Sequence, residues 1–247
     1  MPAAEEDLVY GRHPVLEALR SGRSCHRLLI ARGSHGPVID ELFAAARELH
    51  LPFSVEDRTR LDQLAGPDHQ GVVAVMAARR YAELTELLAG LAPGQGFFVF
   101  LDQVQDPHNL GAVVRTAHAV GADGVVLQTR GGAGLTGAAI KAAAGAADHL
   151  PVCRVTNLGQ ALQQAQQAGL WVTGLDAEAE RDFHEVDFRG PSAVVVGSEG
   201  TGLRRLVRER CDHLVRIPMA RHEVGSLNAS VAAGIVLYEV CRQRTAG

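Results

Sequence analysis

The sequence predicts two α/β domains, the second built on a parallel sheet, and three observations carry that reading. Short apolar runs alternate with helical patterns along the chain. The runs of the second part, among them "FFVFLD", "DGVVLQ" and "SAVVVG", are apolar without alternation, as strands covered on both faces must be. Between the two parts lies "RRYAELTELLAGLAPGQG", a polar stretch with a helical pattern that closes on Pro and Gly. The expected boundaries are 1–80 for the first domain, 81–95 for a linker and 96–247 for the second domain.

In the first domain "DLVYG" reads as a strand and "HPVLEALR" as a helix with Pro14 in its first turn. "RLLIA" is a strand, "PVIDELFAAARELH" an amphipathic helix, "PFSV" a strand, "RTRLDQLAG" a short helix and "GVVAVMAA" a strand. The second domain begins with strand "FFVFLD", helix "NLGAVVRTAHAVG", strand "DGVVLQ", a helix near 137–147 and strand "PVCRV". Helix "NLGQALQQAQQAG", strand "LWVTGLD", a looser polar stretch and strand "SAVVVG" come next. Helix "LRRLVRERC", strand "HLVRIP" and a closing helix complete the pattern.

With 247 residues, 47% of them hydrophobic, the chain can bury a sizeable core. Its net charge of −4 includes no basic excess in either part, so composition alone does not announce nucleic-acid binding. Aromatic residues are only 4%, which argues against base stacking on ring platforms. Nearly all the cations are arginine, with Lys141 the sole lysine, and the guanidinium fork suits phosphate and guanine edges. The four cysteines lie far apart, as expected of reduced thiols rather than a disulfide frame. Cys211-x-His213 is the nearest approach to metal-ligand spacing, and two ligands do not make a site. No run is long enough to span a bilayer and the first residues carry no apolar signal core, so the expected location is cytoplasmic, with no membrane partner.

Five stretches carry chemistry-bearing residues. "GGAGLTG" matches a dinucleotide fingerprint at Gly132, Gly134 and Gly137, but the strand after it ends in Thr156 and Asn157 where a ribose-binding acid is needed; a flexible loop is the better reading. "GSEGTGL" lacks the Lys-Ser/Thr of a triphosphate loop and sets Glu199 among glycines, at a turn that a ligand could approach closely. A plain strand-to-helix turn with a solvated carboxylate reads equally well there. In "LDQVQDPHNLGAVVRTAHAVGA", Asp106-Pro107 makes a turn and Asn109 is placed to cap the following helix. Arg115 then stands among apolar Val113, Val114 and Ala117; such an arginine either handles an anion or carries its head out to solvent. "VGSLNASVAAGIVLYEVC" places Ser226, Asn228 and Ser230 before a helix whose apolar run holds one charge, Glu239, and Asn228 or Ser230 is the expected cap. The arginines of "LRRLVRER" read as a solvated face or as a track for phosphates.

Taken together, "LDQVQDPHNLGAVVRTA", "VVVGSEGTGLRRL" with "CDHLVRIPM", and "SLNASVAAGIVLYE" resemble the three motifs of the SpoU/TrmH branch of the SPOUT RNA methyltransferases, in that family's order. "VYGRHPVLEAL" with "RLLIARG" resembles the family's L30e-like substrate-binding domain. The two-domain arrangement is most similar to members that methylate a guanosine 2′-hydroxyl in the peptidyl-transferase P loop of 23S rRNA. The resemblance implies a C-terminal α/β knot, with a deep trefoil knot in a parallel sheet, preceded by a small L30e-like α/β domain. It also implies S-adenosylmethionine as cofactor, bound in the knotted loops, and a homodimer that completes the site.

Carried over by motif, the implied catalytic residues are Asn109, Arg115, Glu199, Ser226 and Asn228. The implied cofactor loops are Thr173, Gly174 and Leu175; Val196, Gly197 and Ser198; Ile217, Pro218 and Met219; and Leu227. In the family the arginine is proposed to activate the hydroxyl. Because guanidinium stays protonated in proteins, the expectation for Arg115 is that it binds the neighbouring phosphate and lowers the hydroxyl's pKa electrostatically. Expected RNA contacts in the first domain are Arg12, His13, Arg20, Arg23 and Arg27, residues that a solvated helix face would also explain. The link "PMARHEVGSLN" is longer and more charged than the family pattern, so Arg221, His222 and Glu223 are expected to alter the mouth of the cofactor pocket. Competing readings are a tRNA or antibiotic-resistance methyltransferase and a non-catalytic RNA-binding or assembly protein.

Overall fold

The computed structural model describes residues 6–20, 22, 24–77, 81–220 and 226–245. Arg23 and the Arg221-His222-Glu223 segment lie outside the described residues. The first part comprises β1 (Glu6–Tyr10), α1 (Arg12–Arg20), β2 (Cys25–Ala31), α2 (Pro37–Glu48), β3 (Phe53–Glu56), α3 (Arg58–Ala65) and β4 (Val72–Ala77). Its sheet runs β1-β4-β2-β3, antiparallel except for the β2–β3 pair. Val9, Leu28, Ile30, Val72, Ala74 and Met76 face α1 and α2, whereas Leu29, Ala31 and Val73 face α3.

Residues 81–95, expected as a linker, hold α4 (Leu84–Ala89), which is folded onto the second sheet. Leu84 and Leu88 are buried against it, and the Ala82 N–H donates to the Val152 carbonyl. The helical pattern of this stretch therefore has a buried face, with Pro and Gly following it.

The second sheet is built from β5 (Phe97–Asp102), α5 (Pro107–Ala119), β6 (Gly124–Gln128), α6 (Gly137–Ala143), β7 (Val152–Val155), α7 (Leu158–Gln167) and β8 (Trp171–Leu175). It continues with β9 (Arg181–Asp182), β10 (Ser192–Gly197), α8 (Arg205–Arg208), β11 (His213–Arg216) and α9 (Ala229–Thr245). The order is β7-β6-β5-β10-β8-β11-β9 and every pair is parallel. Helices α5, α6 and α9 cover one face and α4 and α7 the other, which explains the unbroken apolar runs. Because all strands point one way, the loops after β5, β8, β10 and β11 gather at one edge. Chain direction around the sheet reverses between β5 and β10, the place where open parallel sheets form their ligand crevice.

Three local readings change. The cap of α5 is Asp106, whose carboxylate accepts from the His108 N–H at 2.8 Å, because Pro107 takes the first helical position; Asn109 is inside the helix. The helix expected over "LRRLVRERC" is only Arg205–Arg208, since Arg204 is extended at φ −65° and ψ 147°. The expected flexible loop "GGAGLTG" is fastened: the Leu135 N–H donates to the Tyr81 hydroxyl at 3.2 Å and Thr136 caps α6. Gly137 answers to packing on the first sheet, since a Cβ there would lie 2.6 Å from the Tyr10 ring and 2.9 Å from the Leu8 carbonyl. The buried Glu239 of α9 is satisfied by Arg242, at 2.7 Å to both oxygens, and by Gln243 at 2.9 Å.

Candidate active site

Three polar side chains converge where β5, β10 and α9 meet. Asn109 stands in the first turn of α5 and is 7% exposed. Glu199 stands on a tight turn after β10, closed by reciprocal backbone hydrogen bonds between Ser198 and Gly202 at 3.2 and 2.9 Å. The Ser198 and Thr201 hydroxyls meet at 2.8 Å across this turn. The turn folds so tightly onto β10 that a Cβ at Gly197 would lie 2.3 Å from the Gly202 carbonyl carbon. Asn228 precedes α9 and caps it, its Oδ1 accepting from the Ser230 N–H at 3.0 Å, the Val231 N–H at 3.3 Å and the Ser230 hydroxyl at 2.6 Å.

These side chains form a closed triangle. Asn228 Nδ2 donates to Glu199 Oε1 at 2.7 Å and to Asn109 Oδ1 at 3.1 Å. Asn109 Nδ2 donates to the same Glu199 Oε1. One carboxylate oxygen is thus fixed by two amides, one in α5 and one at the cap of α9, and the other has no hydrogen-bond partner among the described residues. Such an arrangement presents an oriented acceptor, which a ligand hydroxyl can address.

A cavity of about 530 Å³ opens beside the triangle, a size suited to a small cofactor. Leu175, Val196, Ile217, Met219 and Leu227 give it apolar walls, and Gly197, Ser198 and Ser226 also line it. Thr173 and Gly174 sit one step back in β8, Thr173 almost fully buried, and Pro218 is exposed beside the lining. Asp176, held by Arg208 Nε at 2.7 Å, and Glu178 form an acidic end. Apolar walls suit an adenine ring, and the acidic end suits a ribose diol or an ammonium group. The residues present therefore fit S-adenosylmethionine.

Arg115 is not part of the triangle. It follows Asn109 by six residues, a rotation of about 240° at 3.6 residues per turn. It does not face the sheet; it is exposed, with no hydrogen-bond or ion-pair partner among the described residues. Ser226 is exposed at the cavity and makes no hydrogen bond to the triangle among the described residues.

The expected RNA contacts divide. Arg12 is spent on backbone carbonyls, Nε donating to Gln70 at 3.2 Å and Nη1 to His35 at 3.2 Å. Arg20 pairs with Glu41 at 2.7 Å and Glu17 at 3.3 Å, whereas His13 and Arg27 are exposed. The "LRRLVRER" arginines are largely paired: Arg204 with Asp102, Arg205 with Glu209, and Arg208 with Asp176 and Glu178. That favours a structural role over a phosphate track.

Asp102 is the residue that sequence reasoning passed over. Its carboxylate, 0% exposed, accepts from Arg204 and anchors the far end of the Glu199 turn. The available signal was a carboxylate ending the otherwise apolar strand "FFVFLD". Among the described residues, no helix is long and apolar enough to cross a membrane.

Residues 96–238 match the model of the SpoU rRNA Methylase family, and residues 8–82 match that for RNA 2′-O ribose methyltransferase substrate binding. A Bacillus subtilis protein named "Putative TrmH family tRNA/rRNA methyltransferase YacO" is 45% identical over 242 residues, 97% of each chain. The SpoU methyltransferase AviRb from Streptomyces viridochromogenes, crystallised in complex with the cofactor AdoMet, superposes with a TM-score of 0.82 at 29% identity, covering 98% of this chain and 92% of that one. An AdoMet-bound rRNA methyltransferase from Sinorhizobium meliloti superposes with a TM-score of 0.80 at 26% identity, covering 96% of this chain and 87% of that one.

Proposed function

Belonging as it does to the SpoU rRNA methylase family, the chain is an S-adenosylmethionine-dependent RNA methyltransferase, and we propose that its acceptor is the 2′-hydroxyl of a guanosine in the P loop of 23S rRNA. The observation that carries the chemistry is the Asn109–Glu199–Asn228 triangle at the wall of the cofactor cavity. S-adenosylmethionine supplies the methyl group. Transfer to the 2′-oxygen would break the methyl carbon's bond to sulfur, and the hydroxyl proton would leave to solvent. Such an in-line displacement is accelerated chiefly by positioning. The second oxygen of Glu199 holds the hydroxyl, the two asparagines hold Glu199, and Ser226 stands at the cavity to orient the ribose.

Arg115 enters from a second copy of the chain. On one chain it points away from the triangle, and a guanidinium there serves the reaction only if another protomer presents it. A homodimer also gives a partner to α9, whose Val231 and Tyr238 are 50% and 65% exposed and seven residues apart on one face. At the shared site Arg115 binds the phosphate beside the target ribose and stabilises the developing alkoxide. His13 and Arg27 of the first domain add phosphate contacts, so binding weakens steeply with salt.

Mapping of ribose-methylated nucleotides in total RNA, with and without the gene, tests the acceptor. Loss of one guanosine mark in 23S rRNA is expected. Loss of a tRNA mark reassigns the acceptor, and an unchanged map contradicts the reading.

A further inference from the structure

A second cavity, of about 510 Å³, adjoins the cofactor cavity at Ser198, Glu199, Gly200, Thr201 and Ala229. The two share the turn as a wall, so Glu199 lines both. Beyond the turn, it is lined by the polar side chains of Gln103, Gln105, Asp106 and Asn109. A carboxylate common to two cavities can serve a methyl donor in one and an acceptor in the other. Building on the methyltransferase reading above, we propose that this second cavity seats the base of the target nucleotide and selects guanine.

The selection follows from the groups on offer. Asp106 caps α5 with Oδ1, which leaves Oδ2 without a partner among the described residues. Both carboxylate oxygens accept, Oδ1 keeping a second lone pair beside its bond to the His108 N–H, and guanine's Watson–Crick edge presents two adjacent donors, N1–H and the N2 amino group, that match such a pair. Adenine, cytosine and uracil do not offer two such adjacent donors. Gln105 is exposed and has no hydrogen-bond partner among the described residues, so its amide is available for the neighbouring O6. Gln103 is held at a left-handed φ of +58°, an uncommon conformation for a non-glycine residue. Its amide packs on Gly131, where a Cβ would come within 2.9 Å of Nε2. That contact fixes the cavity wall from the side of β6.

The test compares wild type with Asp106→Asn and Gln105→Ala, using binding of GMP and AMP to the S-adenosylmethionine-saturated protein by saturation-transfer NMR. KM for RNA is measured alongside. Asparagine caps a helix as well as aspartate does, so Asp106→Asn keeps α5 while placing a donor where the free acceptor was. The expected result is preference for GMP over AMP in wild type. Asp106→Asn lowers GMP affinity and raises KM about tenfold, the weight of one hydrogen bond to a charged group, with cofactor affinity and Tm unchanged. Unaltered GMP binding and KM in both variants overturn the proposal, as does a loss of cofactor affinity that matches the loss of GMP. A wild type that binds GMP here yet methylates no RNA instead defeats the functional reading and leaves the base seat standing.

Discussion

The buried carboxylate of Asp102 ties the end of β5 to the far end of the Glu199 turn, accepting from the Arg204 backbone N–H at 2.8 Å and from Arg204 Nε at 2.7 Å. The two residues are adjacent only because β5 and β10 are neighbours in the sheet. Asp102→Ala removes both acceptors and leaves the Arg204 N–H unpaired, a loss of about 2–3 kcal/mol in unfolding free energy. Arg204→Ala should cost at least as much, because it leaves the fully buried Asp102 carboxylate without its counter-charge and with only the backbone bond. Urea denaturation of both variants checks the order, and Asp102→Ala should also lower methyl transfer by loosening the turn.

Asn228 has two separable roles, helix cap through Oδ1 and holder of Glu199 through Nδ2. Asp at this position keeps the cap but sets two carboxylates against each other. Asn228→Asp should therefore lose transfer by about 100-fold while its Tm stays close to that of wild type. Asn228→Ala loses the cap as well, about 1 kcal/mol. Equal falls in transfer and stability for Asn228→Asp would return the residue to a structural role.

Much of this architecture could be read from the chain, for a physical reason. Strands such as "FFVFLD" and "SAVVVG" are covered on both faces, so their residues are uniformly apolar, and the helices between them keep their period. Features set by long-range pairing stayed hidden. The two-residue β9 carries no periodic signal, and the brevity of α8 depends on Arg204 being drawn to Asp102. The Asn109 cap was misplaced because Asn is a good cap in general, whereas Pro107 decides which residue caps. The motifs brought Asn109, Glu199 and Asn228 together in sequence, and the fold joins them. Arg115 has the right motif position but faces away from the triangle on one chain.

The role of Arg115 can be separated from that of a base by pH. A guanidinium that acts by charge is replaced in part by an ammonium. Arg115→Lys should retain a measurable fraction of the transfer rate, with a pH–rate profile that keeps its shape. A profile displaced in step with the lysine's own ionisation would identify a literal base instead.

The four cysteines are not joined in disulfides, and burial raises the pKa of two of them. Cys153 is pushed up to about 11 by burial and then by Glu83. Cys211 rises to about 12 through burial, followed by Asp212, Asp102 and Asp176. Both favour the protonated form in the folded chain, so their stabilisation is complete below the unfolded thiol's pKa of about 8.5 and declines as pH rises toward the folded values. Unfolding free energy should fall above about pH 9, and Cys211→Ala should flatten that fall. Iodoacetamide at pH 8 should label both residues in urea and spare them in the native protein, as peptide mass spectrometry can show.

The central claim is that Glu199, fixed by Asn109 and Asn228 beside the cofactor cavity, orients the acceptor for methyl transfer. Single-turnover transfer of labelled methyl from S-adenosylmethionine to 23S rRNA, compared between wild type and Glu199→Gln, measures this directly. The prediction is cofactor affinity within about twofold and transfer slower by about 100-fold or more, because the amide keeps the shape but loses the charged acceptor. Transfer at the wild-type rate, or a loss fully explained by weaker cofactor binding, would contradict it.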